Sequence, residues 1–419
     1  MALRWAILLS LFFPFQFLGA QACSLIIRGA RLIDPKNNID AVLDIALRGD
    51  KIVAVGTNLD SLTSFQRLDA KGDLVVPGLI DMHTHLFYGA DSSRAFCNGI
   101  KSVKPDSAVF RSGITTLVDA GSSGRVDFPR FVRHIIKNAS PRVFAFLNIV
   151  GKGMRGGAFE QDRSDMDASK TLRMIKRFPQ YIVGIKLAHY KGADWFPVQE
   201  AIRAGKMANL PVMIDFGEYR DPLSLKTLFF DYMRPGDIYT HCFSEIKGRE
   251  TITDTSTSQI KAFVWEARQK GILFNVGYGE VSFSFSQAVP AIRAGFFPNS
   301  LSTDMHAVSG KKGPADLLEI MSKFLAMGMN VQDIIKTVTW NPAREINHEE
   351  LGNLSVGNSA DLAILSIDSG NFRFYDHAGK GISGSGRFVC KRTIKGGKTV
   401  FIRNRNPFSR GLSQTIQME

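Results

Sequence analysis

The chain has 419 residues, of which 44% are hydrophobic, and a formal charge of +13. This length and apolar fraction can build one large domain with a smaller one beside it, which excludes an intrinsically disordered chain. The positive charge favours anionic partners, but no aromatic residues are interleaved with it as single-stranded nucleic acid requires, so no nucleic-acid role is read here. Its densest stretch, Lys391 to Arg410, holds seven Lys or Arg and no acid and is read as a solvated face.

Residues 1–22 differ in kind from the rest. Arg4 precedes an apolar run, Ala6 to Ala20, which is interrupted by Pro14 and followed by Gln21-Ala22. This is the layout of a signal peptide, so the chain is expected to be exported, to the periplasm or the medium. The run falls short of the roughly 20 apolar residues of a spanning helix and contains proline, so no transmembrane span is expected. Cys23 follows at once, which leaves a lipid anchor at that residue open. Cys97, Cys242 and Cys390 are far apart and form no CxxC pair, so a zinc-thiolate site has no support.

From Ser24 to Gly56 short apolar runs separated by turn residues predict hairpin strands, and the same texture returns in Asp361–Leu365 and Arg392–Phe401. Between these ends, strand-like apolar runs alternate with helix-length segments, the spacing of βα units. Eight runs are predicted: Leu74–Ile80, Ile114–Asp119, Val143–Ile149, Ile182–Ala188, Leu210–Phe216, Ile238–Phe243, Ile272–Gly277 and Ser300–Asp304. Eight units point to a closed (β/α)8 barrel, whose catalytic groups gather at the C-terminal ends of its strands. Ser258–Gln269 and Ala315–Met327 read as amphipathic helices covering it. No phosphate-binding glycine motif is present.

The first run continues through Asp81-Met82-His83-Thr84-His85. A strand period of two puts His83 and His85 on one face, where two imidazoles converge. Histidine is the commonest metal-binding side chain, though HxH alone is weak evidence. On the fourth run Lys186 shares a face with Gly184 and Ala188, inward, where an ammonium must be compensated, by a carboxylate partner or by conversion to a carbamate. His241 on the sixth run and Asp304 at the end of the eighth reach the same rim. Asp304 could bind a metal and accept a proton from water.

Taken together these residues resemble the amidohydrolase superfamily, and within it the deacetylase and dihydroorotase-like branch. The resemblance rests on VVPGLIDMHTHL (75–86), SGITTLVDAGSSG (112–124), IVGIKLA (182–188), PGDIYTHCF (235–243), LSTDMH (301–306) and GNLSVGNSADLAIL (352–365). It implies a (β/α)8 barrel over residues 75–345, with a small β-sandwich built from residues 23–74 and 346–419. It also implies two metal ions, usually zinc, bridged by a carboxylated Lys186. One would be held by His83, His85 and Asp304, the other by His241 and the ligand of the fifth strand. At that fifth position, where the family usually carries histidine, stands Asp215. An aspartate ligates zinc, but its added negative charge favours harder ions such as manganese or magnesium. Tyr278 also stands where histidine is common.

The reading is therefore a metal-dependent hydrolase of amide or ester bonds, a deacetylase of a small acylated substrate that a homo-oligomer would serve as well as a monomer. Cyclic amides, as in dihydroorotases and hydantoinases, are the enzymatic alternative. A metal-impaired barrel that only binds a ligand, because of Asp215, is the other. Candidate substrate contacts are Lys152 and Arg155 in a flexible basic loop after the third run, His189 and His306 beyond rim strands, and Tyr278.

Overall fold

A computed structural model describes residues 22–107, 109–215, 223–307 and 316–403. Residues 1–21 of the expected signal segment lie outside the described residues, as do 216–218 of the fifth-strand passage and the end of the basic stretch.

Both ends of the chain build one eight-stranded sheet. Leu25–Asp34 pairs antiparallel with Ile39–Arg48 and parallel with Leu74–Pro77, which in turn pairs antiparallel with the C-terminal strand Leu362–Tyr375. Ile27, Leu32, Ile45, Leu47, Val75, Leu362 and Ile364 fuse the two ends into a single core, which is why neither end is a unit alone. The Cys23 side chain is 1% exposed and packs on Ile26 and Ala46.

The first predicted run divides in two. Leu74–Pro77 belongs to the terminal sheet, Gly78 donates its N–H to Asp361, and Leu79–Thr84 begins the barrel. Six further parallel strands follow in sequence order: Ile114–Gly124, Arg142–Asn148, Ile182–Leu187, Val212–Ile214, Ile238–Tyr239 and Leu273–Phe274. The eighth run pairs too briefly for a strand yet closes the ring. Ser300 bridges Asn275 on one side, Met305 bridges Thr84 on the other, and Asp304 donates its N–H to the His83 carbonyl at 2.7 Å.

Barrel strands covered on both faces need no polar alternation. Ile114–Gly124 is buried at every position. Inside, Ile80, Met82, Val118, Phe144, Phe146, Met213 and Ile238 fill the lower barrel, so the polar residues at the strand ends sit on a packed floor. The predicted helix from Ser258 begins only at Ala262, because Gln259–Ile260 pairs with Thr253–Asp254 in a short hairpin. The other runs Leu317–Ala326, capped by Asp316, whose carboxylate accepts from the Leu318 N–H. Among the described residues no helix is long and apolar enough to cross a membrane.

Candidate metal centre

His83 and His85 are 1% and 4% exposed at the C-terminal end of the first barrel strand. Each Nδ1 is held by a hydroxyl, His83 by Thr240 at 2.9 Å and His85 by Ser122 at 3.0 Å. The Thr240 hydroxyl spends its proton on Asn275 Oδ1, so it must accept from His83 Nδ1–H. His83 Nε2 is then a bare lone pair.

Asp304 closes the group. It stands at the end of the eighth run with φ of +51°, a left-handed conformation uncommon for a non-glycine residue. Its Oδ1 lies 3.1 Å from His85 Nε2 and 3.5 Å from His83 Nε2, and it is buried without a hydrogen-bond partner. Donor atoms of His83, His85 and Asp304 all lie within 4.8 Å of one another. Burial pushes the Asp304 carboxyl upward, but the facing imidazoles outweigh it and hold it well below the usual range. Two imidazole nitrogens and a carboxylate oxygen this close repel unless a proton or a metal cation lies between them. This donor set therefore fits a divalent metal.

Lys186 comes to the same point from the fourth strand, its Nζ 3.4 Å from His83 Nε2 and its side chain 1% exposed. Burial, against the pull of Asp215 and Asp304, lowers its ammonium to about 8. His241, also left-handed at φ +56°, engages the Gly277 carbonyl through Nδ1 at 2.6 Å and turns Nε2 to Asp215 Oδ2 at 3.4 Å. A methyl group on Gly277 would lie within 2.9 Å of His83 Nδ1, His241 Nδ1 and the Thr240 hydroxyl, and one on Gly279 within 2.5 Å of Asp304 Oδ2. Side chains are excluded at both positions, which keeps the space beside the ligands open.

Asp215 brings a partner that the sequence did not reveal. Arg249, its side chain 7% exposed, donates to Asp215 Oδ1 at 2.7 Å. Burial alone would raise the Asp215 carboxyl, but Arg249 and His241 hold it well below the usual range. One carboxylate oxygen is thus committed to an arginine and the other faces the site. Arg249 lies in a loop well beyond the sixth strand, and no motif marks it.

Of the five candidate substrate contacts, two stand at the mouth. His189 Nδ1 meets Glu160 at 2.6 Å and its Nε2 lies 3.7 Å from Asp215 Oδ2. His306 lies beside His85 and packs edge-on against Phe96, which also covers His85. The loop expected to be flexible is tied down. Arg155 donates to Asp127 at 2.6 Å, and Asp165 receives the Lys152 N–H and the Arg125 guanidinium. The Lys152 ammonium faces Asp162. Both cations are therefore spent on local carboxylates.

Tyr278 is a further correction. Gly277 and Gly279, both with left-handed φ, stand against the ligands, whereas the Tyr278 side chain between them is buried on the other side. Its ring stacks on Phe283, and its hydroxyl accepts from Lys323 Nζ at 2.8 Å and donates to the Tyr375 carbonyl at 3.2 Å. Tyr278→Phe is expected to cost about 1–3 kcal/mol of stability by leaving the Lys323 ammonium short of a partner. KM and kcat should stay within twofold, which steady-state kinetics and a denaturant titration would check.

Residues 285–400 match the model of the amidohydrolase family. The chain is 32% identical over 344 residues to a deacetylase of Agrobacterium fabrum, covering 80% of this chain and 81% of that protein. It is 30% identical over 334 residues to a deacetylase of Enterococcus faecalis, covering 78% and 86%. Among solved structures, an adenine deaminase superposes with a TM-score of 0.81 at 28% identity, over 91% of this chain and all of that one. A dihydroorotase superposes at 0.77 and 29% identity, over 90% and 97%.

Proposed function

The chain belongs to the amidohydrolase superfamily, and from that membership we propose that it is a metal-dependent deacetylase which hydrolyses the amide or ester bond of a small acylated molecule. The observation that carries this reading is the meeting of His83 Nε2, His85 Nε2 and the partnerless Oδ1 of Asp304 at one buried point. The deacetylases of Agrobacterium and Enterococcus supply the acyl class.

His83, His85 and Asp304 would hold one divalent ion. His241 and Asp215 Oδ2, with a carboxylated Lys186 between the two positions, would hold a second, zinc or, given Asp215, manganese or magnesium. Such ions polarise an acyl carbonyl and acidify water. The chain's own residues do the rest. Asp304, kept ionised by its neighbours, accepts the proton of the attacking water and hands it to the leaving amine or alcohol, as a general base and then acid. Arg249 fixes the Asp215 carboxylate in one orientation. His189 and His306 flank the entrance, where the group attached to the acyl carbon must lie. We read the N-terminal apolar run as an export signal, which would put this chemistry outside the cytoplasm.

Metal analysis by plasma mass spectrometry with a screen of N- and O-acetylated substrates tests the reading. Two equivalents of metal with turnover support it, and a carbamate signal after labelling with 13C-bicarbonate would support the modified lysine. Less than one equivalent and no turnover after reconstitution would sink it. Because a dihydroorotase superposes nearly as well as the adenine deaminase, cyclic amides belong in the screen as the second reading.

A further inference from the structure

Beneath His83 the barrel interior is not wholly apolar. His83 Nδ1 donates to Thr240 Oγ1 at 2.9 Å, Thr240 Oγ1 to Asn275 Oδ1 at 2.8 Å, Asn275 Nδ2 to Ser300 Oγ at 2.9 Å, and Ser300 Oγ to Glu345 Oε2 at 2.8 Å. Thr240, Asn275 and Ser300 are 0% exposed and Glu345 is 6% exposed. Glu345 ends the helix Trp340–Glu345 and lines a cleft of about 790 Å³ together with Leu210, Pro211, Gly236 and Gly271, residues that precede barrel strands. It therefore stands on the face opposite the metal centre.

The direction of these bonds matters more than their number. The Thr240 and Ser300 hydroxyls each have one proton and here each passes it away from His83; Asn275 between them accepts from Thr240 and donates to Ser300, and is braced from the side by Ser302. Aligned donors polarise one another, and the chain needs an acceptor at its end. Glu345 is that acceptor, and its second oxygen, Oε1, has no hydrogen-bond partner. Burial pushes the Glu345 carboxyl up to about 7, so its ionised form is held here at a cost, with only the Ser300 hydroxyl, among the described residues, in hydrogen-bond contact.

We propose that Glu345 is a positioning residue for the metal centre: through Ser300, Asn275 and Thr240 it holds the proton of His83 on Nδ1 and so presents Nε2 as a metal ligand. A histidine that binds metal commonly has its other ring nitrogen held by a carboxylate or a carbonyl, and losing that support weakens metal binding about 10–100-fold. Here the carboxylate acts through three intervening side chains instead of touching the ring. The inference rests on the reading of His83, His85 and Asp304 as a metal site.

The test uses metal-free full-length protein, zinc affinity measured by competition with a chromophoric chelator, and the visible spectrum after cobalt loading. Ser300→Ala and Glu345→Leu are each expected to raise the zinc Kd about tenfold and to shift the cobalt bands. The double variant should bind no more weakly than the worse single one, because either change breaks the same chain. Glu345→Gln, whose amide oxygen still accepts from Ser300, should lie closer to wild type. A purely structural role would lower the melting temperature of these variants and leave Kd and spectrum alone, and that result overturns the inference. So does a double variant whose losses multiply. Ser300→Ala alone decides the matter if Glu345→Leu fails to fold. Wild-type protein that takes up no divalent metal would instead overturn the reading of the site, and this inference with it.

Discussion

Asp304→Asn is expected to reduce hydrolysis of an acylated substrate by about 10²–10⁴-fold, chiefly in kcat. The substitution keeps an oxygen near the position of Oδ1, 3.1 Å from His85 Nε2, so a weakened metal site remains. What it removes is the negative charge and with it the ability to accept a proton from water. Burial would by itself favour a neutral group at this place, and positive charge on the facing imidazoles, or on a metal ion in its stead, keeps the carboxylate ionised. The companion variant His85→Ala removes a ligand and no base, and should lose metal and activity together. Measuring metal content beside kcat separates the two. Asp304→Asn protein that keeps more than a tenth of wild-type kcat would remove Asp304 from the chemistry.

Much of this centre was legible in the sequence because it obeys the simplest periodicity. HxH on a strand converges whatever surrounds it, and the eight apolar runs place His83, Lys186, His241 and Asp304 at strand ends. Tyr278 was not readable in the same way, because the strand ends at Phe274 and the left-handed Gly277 and Gly279 break the alternation beyond it. Other features were not readable. That Gly78 divides one apolar run between two sheets depends on pairing with Leu362–Tyr375, nearly three hundred residues away. Thr240, Asn275, Ser300 and Glu345 are ordinary polar residues in sequence. Only the barrel brings them into line.

The pairing of Arg249 with Asp215 decides what restoring the family's usual histidine would do. Asp215→His alone is expected to destabilise the protein by about 3–5 kcal/mol, because it strips the counter-charge from a guanidinium whose side chain is only 7% exposed. It would also place an imidazole next to that cation. Any loss of activity would then reflect the stranded arginine, not the merits of histidine as a ligand. Adding Arg249→Met removes the cation while keeping an apolar stem of similar reach, and the double variant should recover most of the lost stability. With histidine at the fifth strand and no arginine beside it, metal preference should move from manganese and magnesium toward zinc. Denaturant titrations of the two single variants and the double, with metal competition on each, make a complete cycle. A coupling energy near zero would show that Asp215 and Arg249 act independently. A large coupling with unchanged metal preference would mean that Asp215 serves the arginine and contributes nothing to the ligand set.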